Sequence, residues 1–351
     1  MSKSAVTVTG LIPEGSLGLT LPHEHVLIDF TCRYRAAADE TDVVLPSLSE
    51  RWRVLREPAG YRANLDGTSV AVATTEVDAF KASGGSTIVD LSVIGLGSDP
   101  RGLVEVVEAT GVNIIAGTGT YVTDSVGDEL RNASVEELET RFVDEIENGG
   151  AEGIRRGVIG EIGIEAQTEF EVRAVVAAAR AQARTGAPCY LHVLSGIIAS
   201  SRPSVLELVD RYVTEGGDPA RLVLCHQDGS GDDIEYQKSI LDRGAWLEYD
   251  TFGFESVFGL GDDYIQLPTD SQRIRELKRL IDEGYQDQLL ISHDICYQMM
   301  RRSWGGWGYA HLLDVLPGRF RAAGIDSETL QRLMVHNPAR LLCFVDSNGA
   351  A

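Results

Sequence analysis

Two histidines one residue apart, His23 and His25, stand in the run Leu21-Pro22-His23-Glu24-His25. On a strand, side chains at i and i+2 project to the same side, so both imidazoles can face one cation. Four more residues of ligand type close short apolar runs. These are Glu161 in Gly160-Glu161-Ile162-Gly163, His192 after Tyr190-Leu191, His226 after Leu224-Cys225, and Asp294 after Ser292-His293. Burying the Glu161 carboxylate in such a run is costly unless it is paired or bound to metal. Each histidine alone could equally be a core residue bonded to backbone; the argument for metal is their convergence. Four histidines and two carboxylates exceed what one tetrahedral ion with an open position needs. They suit two divalent ions bridged by a carboxylate and a hydroxide. Imidazole and carboxylate donors favour Zn²⁺, with Mn²⁺, Co²⁺ and Fe²⁺ as alternatives. Such a pair generates hydroxide near neutral pH and polarises a carbonyl or phosphoryl oxygen. Asp294 would also accept the proton of metal-bound water. Water attack on an ester, lactone, amide or phosphoester is the reaction class. By strand alternation Cys225 is expected to face a helical layer and His293 to be structural.

The spacing of these residues identifies the elements that carry them. Glu161 to His192 is 31 residues, His192 to His226 is 34, and His226 to Asp294 is 68, twice 34. Eight short apolar runs, at 17–29, 86–94, 113–120, 157–164, 188–193, 222–226, 245–249 and 288–293, alternate with amphipathic stretches. Helices are predicted at 71–82, 136–148 and 168–185, the last stopped by Gly186-Ala187-Pro188. Eight strand–helix units predict a (β/α)₈ TIM barrel in an α/β fold, with the chemistry at the C-terminal strand ends. A doubly wound open sheet would want a glycine-rich turn after the first strand, where this chain has Pro22-His23-Glu24-His25. Residues 1–351 read as one domain, with a long loop over 30–68, a short amphipathic piece near 49–56 and a frayed tail over 346–351.

With 31 Lys+Arg against 53 Asp+Glu, the net charge of −22 argues against nucleic acid or anionic membrane as the main partner. A small-molecule substrate remains. No run approaches the roughly 18–20 apolar residues of a membrane span, and the first residues lack an apolar signal core, so a cytoplasmic location is expected. The five cysteines form no CxxC pair, which makes a disulfide framework or cysteine-rich zinc site unexpected.

Leu21-Pro22-His23-Glu24-His25, Gly160-Glu161-Ile162-Gly163, Leu191-His192, Cys225-His226, Ser292-His293-Asp294 and His336-Asn337-Pro338-Ala339-Arg340 resemble the phosphotriesterase family of the amidohydrolase superfamily. The resemblance spans roughly residues 10–345 and is nearest to the phosphotriesterase-related branch. It implies that His23, His25 and Asp294 hold a buried ion, that His192 and His226 hold a more exposed one, and that Glu161 bridges them where many members have a carboxylated lysine. It implies a place beside the metals for Tyr121, which the family's lactonases use, and a homodimer, as members often form. Thr251 stands where the organophosphate hydrolases have a proton-shuttling histidine. Asp228 is a candidate for holding a ligand or leaving group. Trp304 and Trp307, with Arg301 and Arg302, are candidates for lining the substrate pocket, the arginines meeting an anion. The reading is a metal-dependent hydrolase of an N-acyl amide, ester or lactone, with at most promiscuous phosphotriesterase activity. The alternatives are an organophosphate triesterase and an inactive metal- or ligand-binding protein.

Overall fold

A computed structural model of the chain describes residues 3–36, 47–193, 198–260 and 263–346. Eight parallel strands form one sheet in chain order: β1 Thr20–Glu24, β2 Thr87–Asp90, β3 Asn113–Thr118, β4 Val158–Ile164, β5 Cys189–Val193, β6 Leu222–Leu224, β7 Trp246–Tyr249 and β8 Leu289–Ile291. At the seam between β8 and β1, Asp294 N–H donates to the His23 carbonyl at 3.3 Å and the Ser292 hydroxyl to Glu24 at 2.8 Å. The result is a TIM barrel. Seven longer helices surround it: α1 Val70–Ala82, α2 Pro100–Thr110, α3 Val135–Glu147, α4 Glu169–Thr185, α5 Arg202–Thr214, α6 Ile234–Leu241 and α7 Asp270–Asp282. Short helical turns after β8 end in Asn337–Leu342. No described helix is long and apolar enough to cross a membrane.

The helices begin where side chains satisfy their free N–H groups. Ser134 with Glu137, Thr168 with Glu171 and Thr269 with Gln272 form reciprocal capping boxes at α3, α4 and α7. Gly186, at φ +72°, ends α4 in the left-handed conformation expected of a C-terminal glycine.

Apolar residues divide into two layers. One lies between strands and helices; the other fills the barrel with Val89, Ile115, Val158, Tyr190, Val223 and Leu290. Cys225 belongs to the interior set, not the helical layer. Counted from Val223 inside and Leu224 outside, Cys225 keeps the alternation; counting back from His226 misplaces it, because His226 turns inward through left-handed backbone beyond the end of β6. A hairpin, Lys3–Thr7 with Gly10–Pro13, closes the N-terminal end of the barrel, and Val345–Asp346 pairs with it. Asp346 therefore sits opposite Lys3 rather than opening a frayed tail; residues 347–351 lie outside the described residues. The first expected strand is also shorter: β1 stops at Glu24, and Ile28–Asp29 pairs antiparallel with Asp66–Gly67. Within 30–68, Arg51–Arg56 is helical, as the amphipathic pattern predicts, while 37–46 lie outside the described residues.

Candidate metal centre and active site

Two irregular strands and two left-handed residues aim the ligand set inward. In β4 the pairing with β5 runs Ile159 to Cys189 and then Ile162 to Leu191, three residues against two. Plain alternation from Val158 inside and Ile159 outside would send Glu161 into the helical layer; the extra residue turns it to the barrel mouth. Gly160 permits this: its φ is +131°, and a Cβ there would lie 2.6 Å from the Tyr190 carbonyl oxygen. In β1 the pairing with β2 slips in the same way, between Leu21 and Glu24, around His23. His226 and Asp294, at φ +60° and +50°, leave their strands in left-handed backbone. That conformation costs on the order of 1 kcal/mol or more for a non-glycine residue and persists only where neighbours hold it. Asp250 does so for His226, accepting from its backbone N–H at 2.8 Å and meeting its Nδ1 at 2.9 Å.

The six expected ligands converge. His25 Nε2 lies 3.2 Å from Asp294 Oδ1 and 3.9 Å from Glu161 Oε1. His23 Nε2 lies 3.6 Å from Glu161 Oε2 and 3.8 Å from Asp294 Oδ1. His192 Nδ1 is 3.0 Å from Glu161 Oε2 and 2.7 Å from His226 Nε2. Atoms bound to one ion at about 2.0–2.2 Å sit roughly 3–4 Å apart, so this spacing fits metal. His23 makes the case most directly. Its ring is fully buried, its Nδ1 meets Glu248 at 2.8 Å, and its Nε2 has no hydrogen-bond partner. A buried nitrogen left unpaired between two carboxylates is a donor presented to a cation. Ser92 meets His25 Nδ1 at 3.0 Å, so three of the four rings are oriented through the nitrogen turned away from the cluster. Three candidate metal-ligand groups share His23: one with His25 and Asp294, one with Glu161 and His226, and one with Cys225, Glu248 and Asp250.

Charge at the cluster is strongly coupled to burial. Burial pushes the Glu161 carboxyl up, but His192, His25 and His23 outweigh it and hold it down at about 2. Burial pushes His226 down, and Asp250 with Asp294 reverses this to about 9. Burial raises Glu248 to about 7 against the pull of His23.

Around the ligands, some expectations hold their position and others move. The Tyr121 hydroxyl is buried, 3.3 Å from His192 Nε2, and accepts from Arg33 Nη2 at 2.9 Å. Asp228 is buried in an ion pair with Arg273 at 2.6 Å, and the same oxygen accepts from the Thr251 hydroxyl. Arg273 also reaches Thr251 at 2.6 Å and Asp270 at 3.2 Å. His293 is structural, held by Glu24 at 2.8 Å and accepting from Leu312 N–H at 3.1 Å. Both arginines of the loop after β8 are engaged within the protein. Arg301 is buried and donates to the Val26 carbonyl at 3.0 Å; Arg302 pairs with Asp314 at 2.7 Å. Trp304 and Trp307 are half-buried, and Trp307 stacks on Phe254 with centroids 6.1 Å apart. Neither lines the cavity of about 530 Å³ that Arg33, Glu165 and Tyr297 help to wall.

Sequence reasoning passed over the supports: Glu24, Arg33, Asp90, Ser92, Glu248, Asp250 and Arg273. The carboxylates among them carried the same signal as Glu161, an acid inside or beside an apolar strand. Glu24 accepts from the Ser292 hydroxyl and the N–H groups of His293 and Ile295, fixing the backbone that carries Asp294. Asp90 accepts from Val26 N–H at 2.6 Å and Ser92 N–H at 3.0 Å.

One acid near the site gives a pH-dependent stability. Glu276 on α7 has a buried, unpartnered Oε2. Burial, then the charges of Asp228 and Asp232, raise its carboxyl to about 7, with Arg273 and Arg275 opposing. Its folded pKa lies above its unfolded value of about 4.3. The folded state thus binds the extra proton, and Glu276 loses stability for the fold as pH rises between those values. Glu276→Gln is expected to raise Tm at pH 8 and to leave it nearly unchanged at pH 4. Thermal melts at both pH values decide it; an equal difference at both would show that the effect is not this titration.

The sequence model of the phosphotriesterase family matches residues 3–342. A phosphotriesterase-related protein of Nematostella vectensis is 34% identical, covering 98% of this chain and 99% of its own. The N-acetyltaurine hydrolase of Bos taurus is 33% identical over the same shares. A resiniferatoxin-binding protein from Rhodobacter sphaeroides superposes with TM-score 0.90 at 34% identity, over 97% of this chain and 95% of that one. The barrel, the candidate ligand clusters at its mouth and a match along nearly the whole chain agree: the chain is a hydrolase that belongs to the phosphotriesterase family.

Proposed function

We propose that the protein holds two divalent ions, with Zn²⁺ the best fit to its donors, and hydrolyses a small N-acyl amide, with esters and lactones as related substrates. The observation that carries this is Glu161: one carboxylate reaches both His23 and His192, at 3.6 Å and 3.0 Å, and so can join two ligand groups. When bound, the ions lower the pKa of water and act as Lewis acids toward a carbonyl oxygen.

The chain's own residues do the rest. Asp294 is the more open of the two candidate ligand carboxylates, its side chain 16% exposed against 2% for Glu161. It can take the proton of the attacking water and return it to the leaving nitrogen. Tyr121 accepts from Arg33, and with His192 Nδ1 turned to the cluster, the Nε2–H of that ring points at the same phenol oxygen. The phenol proton then has no acceptor in these two groups and is free for the substrate oxygen. Thr251 is closed into the Asp228–Arg273 contact, so no relay leads from Asp294 through it. This favours carbonyl substrates, and N-acetyltaurine hydrolase relatives point to amides.

The test is kcat/KM of the zinc-loaded protein on N-acyl amides, esters, lactones and an aryl phosphotriester. An N-acyl amide is expected to reach about 10⁴ M⁻¹s⁻¹ or more. Turnover confined to the phosphotriester would overturn the proposal.

A further inference from the structure

Beside the ligand cluster lies a cavity of about 530 Å³, walled by residues that follow β1, β3 and β4 and by Tyr297. Cavities of a few hundred Å³ are the usual size for small-molecule sites. It meets the cluster through one chain of contacts. Arg33, on the cavity wall, donates to Tyr121, and Tyr121 meets His192.

Three guanidiniums line this cavity, Arg33, Arg35 and Arg56, in a chain whose net charge is −22. Of the acids that share the wall, two are already engaged. Glu165 pairs with Arg33 at 2.7 Å. Glu171 accepts from the backbone N–H groups of Thr123, Glu165, Ala166 and Thr168. Glu57, Asp124, Arg35 and Arg56 are all exposed, where water screens acids and guanidiniums alike. Arg33 uses one N–H on each terminal nitrogen and keeps the second on each. Arg35 donates to the Tyr34 carbonyl, and neither it nor Arg56 has an ion pair among the described residues. Arg33 is the half-buried guanidinium of the three, and its free N–H groups, with those of Arg35 and Arg56, offer forks that match sulfonate and carboxylate oxygens.

We propose that this cavity is a subsite for an anionic group, a sulfonate or carboxylate, carried by the substrate, and that Arg33, Arg35 and Arg56 determine specificity for it. The proposal rests on the amide-hydrolase reading: the scissile carbonyl sits at the ligand cluster and the charged end passes Tyr121 into the cavity.

The first test compares kcat/KM for N-acetyltaurine, for its neutral isostere N-[2-(methylsulfonyl)ethyl]acetamide and for cationic N-acetylethylenediamine. The anion is expected to be preferred by about 100-fold over the neutral compound. The double variant Arg35→Ala/Arg56→Ala is expected to shrink that ratio about tenfold, mainly through KM. A preference absent in the wild type, or unchanged in the double variant, overturns the proposal; so does a preference for the cation, which would assign the cavity to Glu57 and Asp124. The second test needs no turnover: calorimetric titration with propane-1-sulfonate. Binding to the wild type that weakens in the double variant supports the subsite even if no amide is hydrolysed. Absence of binding to the wild type, or equal binding by both proteins, overturns it even if amides are hydrolysed.

Discussion

Asp294→Asn is expected to lower kcat by about 10³-fold while the protein stays folded and loaded with metal, the size of effect typical of losing a general base. Asparagine keeps the shape and one donor oxygen but cannot take a proton at neutral pH. It also tolerates the left-handed backbone that Asp294 adopts at φ +50°, so the variant isolates chemistry from strain. Asp294→Ala would confound the two, since alanine is disfavoured in that conformation. The measurement is kcat, KM and metal content of the same preparation. Near-normal kcat with metal bound would remove Asp294 from the proton path and leave it a ligand only.

Removal of divalent ions by a chelator is expected to abolish turnover and to lower Tm by several degrees, both reversed by Zn²⁺, Mn²⁺ or Co²⁺. The stability change follows from binding to the folded state alone, worth about 4 kcal/mol at a free-ion concentration 1,000 times Kd. The cluster explains the direction: without a cation, His23 Nε2 is buried and unpaired between Glu161 and Asp294. Glu161→Gln sharpens the experiment, because a neutral amide bridges two cations poorly. Metal analysis should fall from two ions per chain to one or none. Two ions retained at full rate in Glu161→Gln would refute the bridge, and turnover that survives complete removal would refute the metal mechanism.

The ligands were legible because each breaks a local rule: a polar residue ends an apolar run at intervals near one strand–helix unit. Their supports obey no interval. Glu248 meets His23 across 225 residues of chain, and Glu24 meets His293 across 269. Only the barrel makes such pairs neighbours, so the sequence marks them at most as unexplained acids. The inward place of Glu161 is legible, but the bulge that gives it is not, and Cys225, counted back from His226, falls on the wrong side for a related reason: strand alternation is a rule about regular backbone, and it lapses at the bulge in β4 and at His226 beyond the end of β6. Arg301 shows a different limit. In a loop its charge suggests a substrate contact, yet the long side chain runs inward to a backbone carbonyl that only the folded excursion after β1 supplies.

The division of labour between strands and loops bears on how this protein can change over evolutionary time. Glu248 and Asp250, which hold the histidines, sit in and just after β7, and Glu24, which holds the turn carrying Asp294, ends β1. The cavity wall instead comes from connecting segments, residues 32–36, 56–60 and 122–125 among them. Inheritance can therefore tinker with one without dismantling the other: drift in those segments would shift which acylated molecule is accepted, while the hydrolytic apparatus stays intact beneath. A directed-evolution library confined to them should yield changed substrate preference among folded clones far more often than one aimed at the strands.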